Sequence, residues 1–285
     1  MSETISVVMP AYRAEPYIAG AVRSVLAQTF SNWLLVIVSD DGEDYEAVLA
    51  AEGIADRRCR FVSSGGIKSG VSAAKNAGFD AVTTNYVAIL DADDRFKPQK
   101  LELVAKALAE HAIVSTALDV TDVAGRSLRH VGVGPDRVLT AGRHKWTNIS
   151  MDSMIAWDRR RVDGRGDPTL PNMTDLDFLM RLYRTSATSF HIGAPLHEYV
   201  KQPNSASNAA GFTERMLTAK QMLRDGMAKG DYPMADPGAV AGLDAFLEVS
   251  MEAERRYPEA LGKSPGLLFE DHLEPLLRAS ATSAS

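Results

Sequence analysis

The chain of 285 residues carries a single cysteine, Cys59. It can therefore form no internal disulfide and no cysteine-rich metal site, which fits a reducing compartment. Cys59 precedes Arg-Phe-Val at the start of a strand pattern, a setting for packing rather than nucleophilic chemistry. No apolar run approaches the roughly 20 residues that cross a bilayer. The first residues enter a strand pattern directly, without a basic stretch and apolar signal core. A soluble cytoplasmic protein is expected, at most peripheral to the inner face of a membrane. Positive charge is not in excess either: 31 Lys and Arg stand against 37 Asp and Glu, a net charge of -6. That balance argues against a partner bound by broad electrostatics, such as nucleic acid. The Gly-x-Gly-x-x-Gly turn of dinucleotide folds does not follow the first strand pattern, and there is no P-loop.

Hydrophobic residues make up 45% of the chain, enough for one substantial core. Short apolar strand patterns (5–9, 33–38, 60–63, 86–90) alternate with helical patterns (15–28, 45–51, 71–81, 98–111). Such alternation predicts a mostly parallel α/β sheet with helices on both faces. Beyond it, 112–118 and 127–131 read as an antiparallel excursion at the sheet edge. A helix starts near Asp175, and 189–192 and 196–201 read as two extended pieces. Two amphipathic helices follow at about 212–229 and 238–256, and the small polar run 279–285 reads as disordered.

The stretch Tyr86-Val-Ala-Ile-Leu-Asp-Ala-Asp-Asp-Arg-Phe-Lys-Pro98 is the centre of this pattern. A buried strand ends in Asp91, Asp93 and Asp94, at the carboxyl edge where open α/β sheets bind ligands. Carboxylates this close repel and raise one another's pKa values. A hard divalent cation completed by a diphosphate would relieve the conflict; an acidic turn and helix start would suit the same residues. Three further loops reach the same edge: Pro10-Ala-Tyr12, Ser39-Asp-Asp-Gly42 and the turn from Gly66 to Lys75. An aromatic ring, carboxylates, a cation and a metal site on one rim describe a nucleotide-diphosphate pocket.

Val7-Val-Met-Pro-Ala-Tyr12, Ser24-Val-Leu-Ala-Gln-Thr-Phe30, Asp40-Asp41-Gly42, Gly70-Val-Ser-Ala-Ala-Lys-Asn76 and Leu90-Asp-Ala-Asp-Asp94 together resemble the inverting family-two glycosyltransferases of GT-A fold. The likeness runs over 5–110, thins over 150–207 and is absent beyond about 210. It implies that Pro10, Ala11 and Tyr12 meet the nucleobase, with Tyr12 stacking on uracil, and that Asp40 reads a base N–H. By the same resemblance Lys75 serves the diphosphate or its acidic surroundings. Asp93 holds Mn2+ or Mg2+, and Asp91, beside Ala92, faces the ribose or the same cation. In this family the base is the Asp of a Glu-Asp pair opening a helix; Thr174-Asp175 resembles that pair, which makes Asp175 the base and Asp177 its runner-up. Val200-Lys-Gln-Pro-Asn-Ser-Ala-Ser207 resembles the closing Arg-x-His stretch, with Val200 and Gln202 in place of Arg and His. His191 and His197 are weaker candidates for a metal ligand.

The resemblance divides the chain into a nucleotide-sugar half (1–110), an acceptor half (111–207) and a helical C-terminal extension (208–285), whose helices would suit a homodimer surface, an acceptor lid or a membrane-facing patch. The acceptor side would include Trp146 and Trp157, and Arg159-Arg-Arg161 would suit an anionic acceptor or plain solvent. The function expected is metal-dependent inverting transfer of a hexose, most readily from UDP, to a saccharide or lipid-linked acceptor. A nucleotide-sugar-binding protein without chemistry is the alternative. A sugar nucleotidylyltransferase is a third, disfavoured because Pro10-Ala-Tyr12 is not its Gly-rich basic loop.

Overall fold

The computed structural model describes residues 3–147, 151–202 and 211–283. Four parallel strands, β1 (Ile5–Ala11), β2 (Trp33–Ser39), β3 (Cys59–Ser63) and β4 (Tyr86–Ile89), lie in the order β3-β2-β1-β4. The central three are near-continuous runs of apolar residues with both faces covered, as a parallel sheet requires. Ile5, Val7 and Met9 pack with Ile18 and Val22 of α1 (Ile18–Leu26) and with Leu101 and Val104 of α4 (Lys100–Leu108). Val8, Val36 and Ile89 face the other way, toward Phe79 of α3 (Val71–Ala81) and Phe178 of α6 (Thr174–Leu182). Helix α2 (Tyr45–Ala51) adds Leu49 to the first layer.

The sheet continues past β4 where the sequence pattern is weakest. The apolar stretch ending at Trp157 forms β9 (Ile155–Asp158), which runs antiparallel between β4 and β6 (Ile113–Asp122). Strand β6 is thus interior, not an edge excursion, and only its far half pairs with β7 (Ser127–Val131). The two extended pieces expected at 189–192 and 196–201 are one strand, β10 (Thr188–Lys201), parallel to β6 with register shifts around Pro195. Proline has no N–H for the ladder, so the strand bulges there instead of ending. The short β5 (Arg95–Phe96) and β8 (Arg137–Thr140) pair with separate parts of β10.

Three helices close the chain: α7 (Phe212–Lys229), α8 (Ala239–Lys263) and α9 (Phe269–Ser283). Helix α9 corrects the expectation of a disordered tail through residue 283. Leu273 and Leu277 are buried in the cluster that α7 and α8 form with Leu176 and Met180 of α6, so the small residues after them extend an anchored helix. Helix α8 crosses the four-residue turn α5 (Ala141–His144) closely: a Cβ on Gly242 would lie 2.6 Å from the Gly142 carbonyl oxygen. Trp146 fastens this crossing by donating its indole N–H to Gly242 O at 2.9 Å, so it braces helices instead of offering a free platform. Trp157, 1% exposed and edge-on to Phe79 and Phe178, is core, not an acceptor contact. Cys59 is half-buried and burial pushes its thiol up to about 11, consistent with an inert residue. No helix among the described residues is long and apolar enough to cross a membrane.

Helix α3 carries Lys75 and must approach β1 closely. At Gly78 a Cβ would sit 2.4 Å from Val8 Cγ1 and 2.9 Å from Val38 Cγ2, both on stiff β-branched side chains. Gly78→Ala is therefore expected to destabilise the fold by about 1–3 kcal/mol. Urea unfolding followed by circular dichroism measures this; unchanged stability would show that the helix is not wedged against the sheet.

Candidate active site

The ends of β1, β2 and β4 are neighbours by register: Ala11 pairs with Ser39, and Val8 with Ile89. The Pro10–Tyr12 segment therefore lies between the Asp40 loop and the Asp91 loop. The non-glycine residues with positive φ among the described residues are Arg13 (52°), Lys68 (58°) and Met173 (59°). They sit after β1, just before α3 and at the cap of α6, so this strain is concentrated on the loops of one rim.

Asp41 accounts for the first of these strained positions. Its Oδ2 accepts from the Arg13 backbone N–H at 2.5 Å and from Tyr45 Oη at 2.8 Å, and Oδ1 accepts from Glu43 N at 3.1 Å. Burial works against the charged form, but these donors hold the carboxyl below its usual value. With Arg13 held, Tyr12 projects into solvent at 40% exposure. Asp40 binds the loop before α3: Ser64 Oγ donates to it at 2.6 Å, Ser69 N at 2.9 Å and Gly70 N at 3.1 Å. A carboxylate has about four acceptor positions, so one remains on Oδ2 for a ligand. Gly70 takes φ 97°, a conformation that a side chain would strain.

Lys75 is the hub of the rim. Its Nζ donates to both oxygens of Asp152, at 2.8 and 2.7 Å, and approaches Asp91 Oδ1 at 3.2 Å. Burial alone would push this ammonium down, but the two carboxylates outweigh it and raise its pKa. Burial pushes Asp152 up to about 6; Lys75 opposes, while Asp91 and Asp175 add to the rise. Lys75 is thus not on a solvated helix face. Asp152, which sequence reasoning did not single out, stands alone between Met151 and the apolar run into β9; an isolated charge in such a run was the available signal.

Behind these residues lies a second charged group, all of it buried. Asp94 accepts from His197 Nε2 at 2.8 Å and from the Val200 backbone N–H at 3.0 Å. Lys100 Nζ donates to Ser153 O at 3.0 Å and lies 3.3 Å from His197 Nδ1. One assignment satisfies every group: His197 donates from Nε2 and accepts at Nδ1. Burial, then Asp91 and Asp93, raise the Asp94 pKa; burial lowers Lys100 to about 7. His197 is therefore no metal ligand here, because both its nitrogens are used. The same holds for His191, whose ring bonds Ser115 Oγ at 2.9 Å and Gly132 O at 2.8 Å. Val200 ties β10 to the acidic loop through its backbone, which any side chain can do; residues 203–207 of the closing stretch lie outside the described residues.

Asp175 lies in the first turn of α6, where a carboxylate meets the positive end of the helix dipole. Lys145 Nζ reaches its Oδ2 at 3.2 Å. Asp177 is fully buried and receives bonds from Asp167 N, Arg181 Nε and Tyr232 Oη at 2.7, 2.9 and 2.7 Å. Its oxygens are committed to the fold, which removes it as an alternative base. Asn76 joins the two sides: it exchanges hydrogen bonds with Gly166 at 2.8 and 3.0 Å, pinning to α3 the loop that leads into α6. Asp175 opens on a cavity of about 1110 Å³ whose far wall is built by α7, α8 and α9.

A doubly wound, mostly parallel sheet with acidic residues at its carboxyl rim is the architecture of nucleotide-sugar transferases of GT-A type. Residues 6–188 match the model of glycosyl transferase family 2, and the chain belongs to that family. It is similar to the UDP-Glc:alpha-D-GlcNAc-diphosphoundecaprenol beta-1,3-glucosyltransferase WfgD of Escherichia coli, 33% identical over 99 residues, which cover 35% of this chain and 38% of WfgD. TuaG of Bacillus subtilis, a glycosyltransferase ascribed to teichuronic acid biosynthesis, is 28% identical over 207 residues, 72% of this chain and 81% of TuaG. Among solved structures, residues 1–349 of S. aureus TarS in complex with UDP-GlcNAc superpose with a TM-score of 0.67 at 16% identity, over 93% of this chain and 76% of that one. The mannosyltransferase PcManGT of Pyrobaculum calidifontis, in complex with GDP-Man and Mn2+, gives 0.56 at 16%, over 100% and 80%.

A divalent cation fits the acidic loop on this structure's own evidence. Burial and the neighbouring Asp91 push Asp93 up to about 6 against the opposing charge of Lys75, so a further cation beside Asp93 would favour its charged form. Among the described residues no three His, Cys, Asp or Glu side chains form a closed cage. A site of two carboxylates would leave the remaining positions to a diphosphate and water. This has a consequence for the protein free of divalent ions. Asp93 binds its proton more tightly folded (about 6) than at the ordinary 3.8, so stability falls as pH rises through that window. Asp93→Asn removes the penalty and should stabilise the chelator-treated protein at about pH 8 by on the order of 1–3 kcal/mol. The gain should vanish as the pH falls to 3.8. Thermal unfolding across pH in chelator measures it; a variant no more stable than wild type at alkaline pH would contradict it.

Proposed function

We propose that this protein is a metal-dependent inverting glycosyltransferase that moves a hexose from a UDP-linked donor to a hydroxyl of a saccharide or glycoconjugate acceptor. The observation that carries the reading is Lys75, buried between Asp91 of the acidic loop and Asp152, with Asp175 close enough to raise the pKa of Asp152. Donor-side acids and a lone acceptor-side carboxylate thus share one electrostatic neighbourhood. UDP is favoured because WfgD is named for a UDP-Glc donor and TarS was solved with UDP-GlcNAc; Mn2+ accompanies GDP-Man in PcManGT.

Tyr12 would stack on the base and Asp40 would accept its N–H at the free Oδ2 position. Asp91 and Asp93 would hold Mn2+ or Mg2+, which when bound would neutralise the diphosphate as it departs. Lys75 fixes Asp91 so that the acidic loop keeps one geometry for the donor. The acceptor hydroxyl enters beside Asp175, which takes its proton as the oxygen attacks the anomeric carbon. The new bond forms on the face opposite the leaving β-phosphate oxygen, so the configuration inverts. Lys145 and the first turn of α6 orient the Asp175 carboxylate for that single proton transfer.

Asp175→Asn is expected to lower turnover by about 10²–10⁴-fold while leaving UDP affinity unchanged. Rates of UDP release and calorimetric titration with UDP and Mn2+ measure the two. Near-normal turnover would overturn the assignment of the base, and failure of the wild type to bind UDP with Mn2+ would overturn the donor class.

A further inference from the structure

Strand β10 runs beside the acidic loop. In its antiparallel pairing with β5, His197 lies opposite Phe96 and Glu198 opposite Arg95, so one step further along the register sets Tyr199 beside Asp94. Two bonds fix this stretch: His197 Nε2 donates to Asp94 Oδ2 at 2.8 Å, and the Val200 backbone N–H donates to Asp94 Oδ1 at 3.0 Å. Side chains alternate along a strand, so Tyr199 shares the face of His197. Its ring packs against the cluster of Leu118, Val120 and Met154. Its hydroxyl has no hydrogen-bond partner among the described residues, although a largely buried tyrosine ordinarily finds one. Tyr199 also lines the cavity on which Asp175 opens.

The surroundings decide what such a hydroxyl can meet. Burial, then the charges of Asp94, Glu270, Asp93 and Asp91, hold it above the usual phenol value, so it stays protonated and acts as a neutral donor. The cavity wall also carries Lys201 from β10 and Glu270 from α9, so the charges around Tyr199 are of both signs. A donor with its diphosphate at Asp91 and Asp93 and its anomeric carbon toward Asp175 has the ester oxygen between the two. Tyr199 belongs to both sides: it is beside Asp94 by register and in the wall that Asp175 shares.

We propose that Tyr199 is a further catalytic residue, whose O–H donates a hydrogen bond to the β-phosphate oxygen that leaves the anomeric carbon. The proposal rests on the UDP-sugar reading with Asp175 as base and adds the residue that receives the leaving group. As the acceptor oxygen bonds to the anomeric carbon, the bond from that carbon to the β-phosphate oxygen breaks, and its electron pair stays on the phosphate. The acceptor's proton goes to Asp175, and Tyr199 keeps its own. The contacted oxygen is an uncharged bridge in the donor and gains charge as it departs. The hydrogen bond is therefore stronger in the transition state than in the bound donor, as catalysis requires.

Tyr199→Phe deletes the hydroxyl and keeps the ring against Leu118 and Met154, so its thermal midpoint should match that of the wild type. The test follows UDP release by the full chain with Mn2+ from UDP-glucose, UDP-galactose and UDP-N-acetylglucosamine, with water as the acceptor. The variant should turn over about 10²-fold more slowly, by the same factor for every sugar that the wild type hydrolyses. Calorimetry should find UDP bound about tenfold more weakly by the variant, because the terminal phosphate of UDP carries the contacted oxygen. A variant that hydrolyses the donors and binds UDP like the wild type overturns the proposal. So does a loss that differs from sugar to sugar, which would place the hydroxyl on the sugar instead of the phosphate. A wild type that neither binds UDP nor releases it from any of the three overturns the donor reading itself.

Discussion

The structure depends on one buried ammonium. Lys75 connects Asp91, at the end of a central strand, to Asp152, which precedes the single antiparallel strand of the inner sheet. Removing one partner of such a buried pair leaves an uncompensated charge worth about 3–5 kcal/mol. That penalty holds the acidic loop and the β9 turn in register with each other. Helix α3 can deliver Lys75 only because Gly78 lets it lie against Val8 and Val38. The loop before α3 is in turn held by Asp40, and the loop before α6 by Asn76. The acidic loop and the loop that leads to Asp175 are thus both held from helix α3.

Around that hub the molecule accepts instability. Asp93, Asp94 and Asp152 all have raised pKa values, and Lys100 is lowered to about 7. Perturbed, buried charges cluster at functional sites, which makes this rim the candidate site. The Asp94–His197–Lys100 group shows how the cost is contained. It satisfies its own polar atoms, ties the end of β10 to the acidic loop and reaches the carbonyl next to Asp152. The strained backbones at Arg13, Lys68 and Met173 fall on the same rim. In the far half, Lys220 and Glu254 form a second buried ion pair, between α7 and α8.

The legible parts of the fold are those with one clear periodicity. Val7 to Met9, Leu35 to Val38 and Val87 to Ile89 are apolar on both faces and announce parallel strands, and the acids that follow the last two mark the candidate site. Strand β9 has only four residues, and its antiparallel course follows from pairing with β4 and β6, which lie far away in sequence. The pieces 189–192 and 196–201 read as separate because the bulge around Pro195 interrupts the pattern of what is one strand, β10. The tail looked disordered because its last residues are small and polar, yet Leu273 and Leu277 anchor the helix they extend. At the candidate site, Lys75, Asp91 and Asp175 stand in motifs that the sequence displays. Asp152, Lys145 and Lys100 do not, and each is identified by a partner distant in the chain.

The most direct test of the account is the affinity for UDP in Mn2+ across Lys75→Met, Asp152→Asn and the double variant, measured by calorimetry. If Lys75 and Asp152 position Asp91 as one unit, each single change should weaken UDP by about tenfold or more, and the double variant should be no worse than the weaker single. Single variants that bind UDP like wild type, or losses that simply add, would contradict it.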